Sequence, residues 1–250
     1  MSGHSKWSSI KHKKGAADPK RGQLFTKLAR AIQVAAREGG GDPVGNAALA
    51  TAVQKARDAS MPKDNIERAI AKGAGSDADA DSFESVVYEG YAAGGVAVLV
   101  EALTDNRNRT GSEVRHLFSH HAGGLGEPGS VAWNFDKKGV VLVDAGRHHE
   151  DDLIVAIDAG AEDLVRDENV WEIVTAPGDL QAVRDALAEA GVEIQSADIT
   201  MRPQSRVEVE EGQVAGVLRL LEDLEDQDDV SAVHANFDID AATLERLAPA

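Results

Sequence analysis

The feature that most constrains this chain is a change of hydrophobic period near residues 76–81. Before it, apolar residues recur at helical spacing between strong helix boundaries. After it, they alternate or run in short stretches, as strands do. Such a chain is expected to build a helical unit followed by an α/β part.

The helical part is punctuated three times. Asp18 and Pro19 suit an N-cap and a first helical position, and Gly39, Gly40 and Gly41 supply a stop. Leu24, Leu28, Ala31, Ile32 and Ala35 form the expected buried face of this helix. Asp42 and Pro43 repeat the start signal for a second helix reaching about Ala59, with Leu49, Ala52, Val53 and Ala56 inward. Pro62 opens a third, carrying Ile66, Ala69 and Ile70 and stopped by Gly73 and Gly75. Residues 76–81 read as an acidic linker.

Beyond the linker, 83–91 and 96–103 read as strands joined at Gly94 and Gly95. Thr110 with Glu113 forms a capping-box pattern, which starts a helix at Thr110 with Val114, Leu117 and Phe118 inward. The glycine-rich stretch 123–129 reads as a flexible break. Val131, Trp133 and Phe135 alternate on one strand face, and 139–144 follows as its hairpin partner. A helix over 150–159, strands near 163–165 and 170–175, a helix over about 178–190 and a strand over 192–200 give the order βαββαβ, the ferredoxin-like pattern. Past Pro203, a strand at 206–210 precedes a helix striped by Val214, Val217, Leu218, Leu221 and Leu224, then a strand at 230–237. The acidic run 222–229 reads as a solvated helix end.

The segments at 83–118 and 206–237 are each incomplete alone, so they are expected to join around the βαββαβ unit. The expected fold is multi-domain α and α/β. A basic N-terminal helical domain occupies 1–76, a discontinuous α/β domain 82–128 plus 204–240, and an inserted ferredoxin-like domain 129–203.

Charge divides along the same line. The chain of 250 residues carries −17, yet residues 1–75 hold 14 basic and 6 acidic residues, a net of +8, against −25 for the rest. The first thirty residues alone hold Lys6, Lys11, Lys13, Lys14, Lys20, Arg21, Lys27 and Arg30 against Asp18, with Trp7, Ile10 and His12 among them. Lysines bind phosphates and release counterions, and an aromatic ring among them can stack on a base. An acidic body repels phosphate at long range, so nucleic-acid contact is focused on the N-terminal part. Arg107 and Arg109 precede a helix start, where the dipole disfavours cations, and form a second candidate anion contact. An ion pair with Asp105 or a neighbouring strand accounts for them equally well.

Other classes lose ground. With no cysteine, disulfides, thiol catalysis and cysteine-bound zinc are out. No apolar run approaches the ~20 residues of a membrane span, and no secretory signal is legible, so a soluble cytoplasmic protein is expected. No nucleophile elbow or GxxxxGK[ST] phosphate loop occurs. Glu113, His116 and His120 share a helix face, but without a second Glu-x-x-His they read as surface residues rather than a metal site. His148 and His149, ahead of three acidic residues, read as a helix start. No enzyme activity, cofactor, metal or small-molecule substrate is expected, and the oligomeric state is left open.

The motifs GHSKWxxIKHxK (3–14), DPKRGQLFTKL (18–28), MPKDNIERAI (61–70), LTDNRNRTxxEVRHxF (103–118) and GSVAWxF (129–135) resemble those of the YebC/PmpR family. The resemblance covers residues 1 to about 240 in order. It implies three domains: a helical one, a discontinuous α/β one and an inserted ferredoxin-like one. The family's members are usually labelled probable transcriptional regulators, and its mitochondrial relative is the translational activator of cytochrome oxidase subunit 1. The resemblance therefore implies a nucleic-acid-binding regulator acting on DNA, or a factor on ribosomal RNA and the ribosome that relieves stalling, notably at consecutive prolines. This chain departs from the family in the loop 89–95, EGYAAGG for the usual EGYGPGG, and at Gly111.

Overall fold

The computed structural model describes residues 18–75, 83–167, 169–240, 242–243 and 246. The expected linker at 76–81 lies outside them. The first helices are α1 (Asp18–Gly39), α2 (Ala47–Asp58) and α3 (Lys63–Ala74). They close on one apolar cluster built from Ile32, Ala35 and Ala36 of α1, Leu49, Val53 and Ala56 of α2, and Ile66 and Ala69 of α3. The buried stripe of α1 is rotated from expectation. Leu24 is 41% exposed, while Phe25 packs on the cluster with Leu28 and Ala29. Residues 25, 28, 29, 32 and 36 keep the i, i+3, i+4 spacing that one helix face requires, and Leu24 lies about 100° away from Phe25.

Two boundary signals act differently from expectation. Asp42 and Pro43 head a turn rather than a helix: Asp42 Oδ1 accepts from Val44 N and its carbonyl from Gly45 N. The cap of α2 is Asn46, whose Oδ1 accepts from Leu49 N while its Nδ2 donates to the carbonyls of Ala35 and Gly40. One buried amide thus satisfies the end of α1 and the start of α2 together. Gly73 does not stop α3; it lies inside the helix and is buried. A Cβ there would sit 2.3 Å from Gln33 O, so the glycine lets α3 lie directly on the α1 backbone.

The central sheet has the order β3-β1-β2-β9, from β1 (Glu84–Tyr91), β2 (Ala97–Thr104), β3 (Gly124–Leu125) and β9 (Val230–Ala235). The stretch expected to be a flexible break therefore supplies an edge strand. The late strand β9 pairs antiparallel with β2, which joins the two halves of the α/β part across the intervening residues. One sheet face packs on α4 (Arg107–His120) and α7 (Glu211–Asp226), through Val98 and Val100 against Val114, Phe118, Val214, Leu218 and Leu221. The other face of β2, Ala97 and Leu99, meets Val131 and Phe135. Buried on both faces, β2 reads as a nearly continuous apolar run, whereas β1 alternates more.

Helix α4 starts at Arg107, not at Thr110. Asn106 caps it by accepting from Arg109 N, and the Thr110 hydroxyl is buried for another purpose.

The inserted sheet has the order β5-β6-β4-β7, all neighbours antiparallel, from β4 (Phe135–Asp144), β5 (Ala161–Asp167), β6 (Val170–Thr175) and β7 (Ile194–Pro203). With α5 (Ile154–Asp158) and α6 (Leu180–Glu189) on one face, this is the ferredoxin-like arrangement. The segment expected as two hairpin strands is the single strand β4. Trp133 is not part of an inward alternation: it is 68% exposed on a 3₁₀ turn, Ala132–Asn134. That turn is held from afar, because the buried Glu89 carboxylate of β1 accepts from the amides of Gly129, Val131 and Ala132 at 2.7–2.8 Å. Burial pushes this carboxyl up, but the three amide bonds outweigh it and leave it below the ordinary carboxylate value. The short strands β8 (Val207–Glu208) and β10 (Phe237–Asp238) pair in parallel beside the exit of the insertion.

Glycine replacement separates packing from propensity. Gly73→Ala is expected to destabilise by about 1–3 kcal/mol through overpacking against Gln33. Gly22→Ala, on α1 with nothing near its added Cβ, is expected to stabilise by about 1 kcal/mol. Urea titration of both variants reads the opposite signs; a stabilised Gly73→Ala would mean that α1 and α3 do not lie in contact.

Candidate nucleic-acid interface

Lys6, Trp7, Lys11, His12, Lys13 and Lys14 lie outside the described residues, and Lys20 is described only by its backbone in the first turn of α1. The remaining candidates fall in two places. Arg21, Lys27 and Arg30 lie along α1; Arg107 and Arg109 lie in the first turn of α4.

The structure brings α1 and α4 to a common partner that sequence reasoning missed, Asp229. Its side chain is 3% exposed. Arg30 Nη1 donates to Oδ1 at 2.9 Å, and Arg109 Nη2 to Oδ2 at 2.7 Å. The Thr110 hydroxyl donates to Oδ2 at 2.7 Å and lies 2.7 Å from Thr104 Oγ1, itself 3.3 Å from the same oxygen. The Asp229 amide donates to Gln227 Oε1. Arg109 also reaches Asp105 Oδ1 at 2.7 Å, so both partners expected or missed for it are present. Burial raises the Asp229 carboxyl, but the bonds from Arg109 and Thr110 and the charges of Arg109 and Arg30 hold it below its ordinary value. The bond to Asp229 foremost, and that to Asp105, hold the Arg109 guanidinium above its ordinary value.

Around this carboxylate, α1 is seated on the C-terminal end of α7. Lys27 Nζ donates to Glu225 O, Gln23 Nε2 to Asp226 O, and Arg30 Nη1 to Asp228 O. A helix C-terminus presents unsatisfied carbonyls and the negative end of its dipole, so cations and amide donors suit it. The acidic run 222–229 is thus not simply a solvated helix end: its last residue is the buried anchor. A local signal existed only in part, since Thr104 and Thr110 are buried hydroxyls, but nothing near Asp229 in sequence marks its partners.

The other candidates stand apart. Arg21 lies over the Phe25 ring at 5.6 Å. Arg107, exposed, is 3.7 Å from Glu84, and its carbonyl accepts from Tyr88 Oη. Glu113 accepts from Gln227 Nε2, and His116 stacks on His120 with ring centroids 6.0 Å apart. No cluster of three or more His, Asp or Glu suited to a metal occurs among the described residues, and none of their helices is long and apolar enough to cross a membrane.

A second contact fixes the helical unit to the insertion. Arg184 of α6 forks onto both oxygens of Asp58 at 3.0 and 3.1 Å, and Lys55 reaches Asp198 of β7 at 3.1 Å.

Comparison with known proteins is consistent along the whole length. Residues 5–76 match the model of the TACO1/YebC protein N-terminal domain, and residues 83–237 that of the TACO1/YebC second and third domain. A "Probable transcriptional regulatory protein" of Rubrobacter xylanophilus is 55% identical over 99% of this chain and 100% of its own. One of the same name from Acidothermus cellulolyticus is 53% identical over 98% and 99%. The crystal structure of a conserved hypothetical protein from Aquifex aeolicus has a TM-score of 0.79 at 49% identity, covering 89% of this chain and 92% of that one.

The depressed Asp229 fixes a pH dependence. Its contribution to stability is complete above the unfolded carboxylate value near 4 and is lost as pH falls through the lower folded value. Asp229→Asn is expected to cost about 1–3 kcal/mol at pH 7, less than a fully buried pair because Arg109 is 44% exposed. Urea titrations of both proteins at pH 7 and pH 3 should show the gap shrinking at the lower pH; a gap constant with pH would exclude an ionised Asp229.

Proposed function

This chain belongs to the TACO1/YebC family, and on that premise we propose that it is a non-enzymatic, nucleic-acid-binding regulator of gene expression acting in the cytoplasm. The names of its relatives, probable transcriptional regulatory proteins, support transcription as the process, and DNA is the target we propose for it. The observation that carries nucleic-acid binding is the charge split: +8 on residues 1–75 against −25 on the remainder. A polyphosphate is drawn to the first and held off the second.

Within this function the cations divide by role. Lys6, Lys11, His12, Lys13, Lys14, Lys20 and Arg21 contact phosphate, Trp7 stacks, and Arg107 adds a contact from the exposed start of α4. Lys27, Arg30 and Arg109 hold α1 against α7 and Asp229 and so set the direction in which the leading stretch is presented. The three largest clusters of buried apolar residues correspond, in this proposal, to domains at 1–76, 82–128 with 204–240, and 129–203.

A second target, ribosomal RNA in a translation factor, is favoured by the residue types of the leading stretch. Lysines around a single aromatic bind phosphates and unpaired bases rather than reading a base code.

The deciding experiment is crosslinking in cells followed by sequencing of the attached nucleic acid. Recovered promoter DNA supports the first target and recovered ribosomal RNA the second. In vitro, replacing Lys11, Lys13 and Lys14 together by Glu should weaken binding to either by at least tenfold and flatten its salt dependence by about 0.7–0.9 per lost phosphate contact. Undiminished binding by that variant would defeat the assignment of the leading stretch.

A further inference from the structure

Two aromatic rings are held out in solvent at a place that the proposed function does not use. Trp133 is 68% exposed, Tyr91 is exposed, and so is Val87, on the same face of β1 as Tyr91. They lie together. The Tyr91 hydroxyl donates to Ser130 O at 2.8 Å, and Trp133 Nε1 donates to the same carbonyl at 2.9 Å. Between Val87 and Tyr91 on that strand face stands Glu89. Its buried carboxylate grips the amides of Gly129, Val131 and Ala132 and so fixes the turn that carries Trp133.

A buried carboxylate and a shared carbonyl thus keep an indole in water, against the favourable transfer of its apolar surface to the core. Rigid aromatic side chains give large contact area at small entropy loss, and they dominate protein interfaces. The bonds to Ser130 also decide what can bind. The phenol and indole donors are used inside the protein, so the rings offer a partner their faces. Neither ring carries a stacking partner or a cation among the described residues. Charge then selects the partner. Val87 lies directly opposite Glu101 in the β1–β2 register. The bond with His234 foremost, with the charges of Lys137 and Lys55, holds the Glu101 carboxyl below its ordinary value against burial. Lys55 is itself paired with Asp198. Glu127 and Asp136 flank the Trp133 turn in the chain, and residues 129–203 hold 16 acidic and 6 basic residues, a net of −10. A phosphate meets net repulsion here. A guanidinium is drawn by the carboxylates and by the negative face of each ring, on which it stacks.

We propose that the face formed by Val87, Tyr91 and Trp133 docks an arginine-bearing segment of a partner protein, with guanidinium groups over the two rings and an aliphatic side chain against Val87. Arginine-rich segments are the means by which proteins neutralise phosphate, so the partner is itself a nucleic-acid-bound protein. The chain then has two contacts of opposite sign: the leading stretch for the polyphosphate, and this face for a basic protein carried on it. The inference goes beyond nucleic-acid binding, and it assigns a use to the acidic α/β part.

The test uses the full chain and three fluorescein-labelled probes read by anisotropy at low salt: a twelve-residue peptide repeating Arg-Gly-Leu, its neutral counterpart repeating Gln-Gly-Leu, and oligo(U) of equal length. The Arg peptide should bind about tenfold or more tightly than the Gln peptide. Trp133→Leu and Tyr91→Leu, each checked for an unchanged melting curve, should each weaken Arg-peptide binding by about fivefold or more. Trp133→Phe, which keeps a ring, should lose less. Ile154→Ala, at an exposed apolar residue of α5, should lose nothing. Oligo(U) binding should be unaltered by Trp133→Leu, and Arg-peptide binding undiminished when Lys11, Lys13 and Lys14 become Glu. A readout that leaves the face intact uses Trp7→Phe, in which Trp133 and the buried Trp171 are the remaining indoles. There the unlabelled Arg peptide should shield the exposed indole from acrylamide quenching. Equal binding of the Arg and Gln peptides overturns the cationic occupant. Oligo(U) binding lost in Trp133→Leu overturns it in favour of nucleic acid. Failure of the wild type to bind the Arg peptide, undiminished binding by both leucine variants, or absence of shielding also overturns the docking face, and each leaves the assignment of the leading stretch standing.

Discussion

Asp229 is the point on which the arrangement of parts depends. A carboxylate 3% exposed must be matched by donors, and here they come from three separate stretches of chain: Arg30 on α1, Thr104 at the end of β2, and Arg109 and Thr110 on α4. Removing any one leaves charge or hydrogen-bonding capacity stranded in a site of low polarity, which costs more than the bond itself contributes. The helical unit therefore cannot drift from the α/β body without exposing this set. The Arg184 fork on Asp58 closes the other side. Two contacts, one on the central part and one on the insertion, remove the rotation that a single hinge would allow.

Much of the architecture was legible because it follows from local physics. The α7 stripe, Val214, Val217, Leu218, Leu221 and Leu224, is wholly buried, as its 3.6-residue period requires. The order of elements after Phe135 specifies the ferredoxin-like sheet, since a βαββαβ chain has few unknotted ways to place its strands. The misses share a cause. Thr110 satisfies the capping pattern in sequence, yet its hydroxyl is committed to Asp229, and Asn106 caps instead. Trp133 fits an alternation, yet Glu89, more than forty residues earlier, captures the amides around it and bends the chain into a turn. Gly73 fits a helix stop, yet it serves a close approach to α1. In each case a partner distant in sequence overrode a valid local preference.

The candidate interface was legible as a set of cations, not as a geometry. Charge counting finds Lys27, Arg30 and Arg109 because basic residues are conspicuous in an acidic chain. It does not find their partners, because one aspartate in the run 222–229 looks like the next. What separates Asp229 is its place just beyond the end of α7, where the chain turns into β9 beneath the start of α4.

The two sides of Arg30 then define what a polyphosphate meets on this protein. One side is a cleft rich in carboxylates around an already neutralised Asp229; the other, among the described residues, is a mixed wall that includes Arg30, Arg68, Lys72, Phe25 and Phe83. A phosphate approaching the first must displace a carboxylate from a guanidinium that is already paired and must do so among like charges. Because α1 forms both boundaries and is fixed by Asp229, the carboxylate-rich cleft and the groove against α3 are held at a constant relation to each other. The anchor thereby holds the carboxylate-rich cleft on the α7 side of α1, where phosphate is disfavoured.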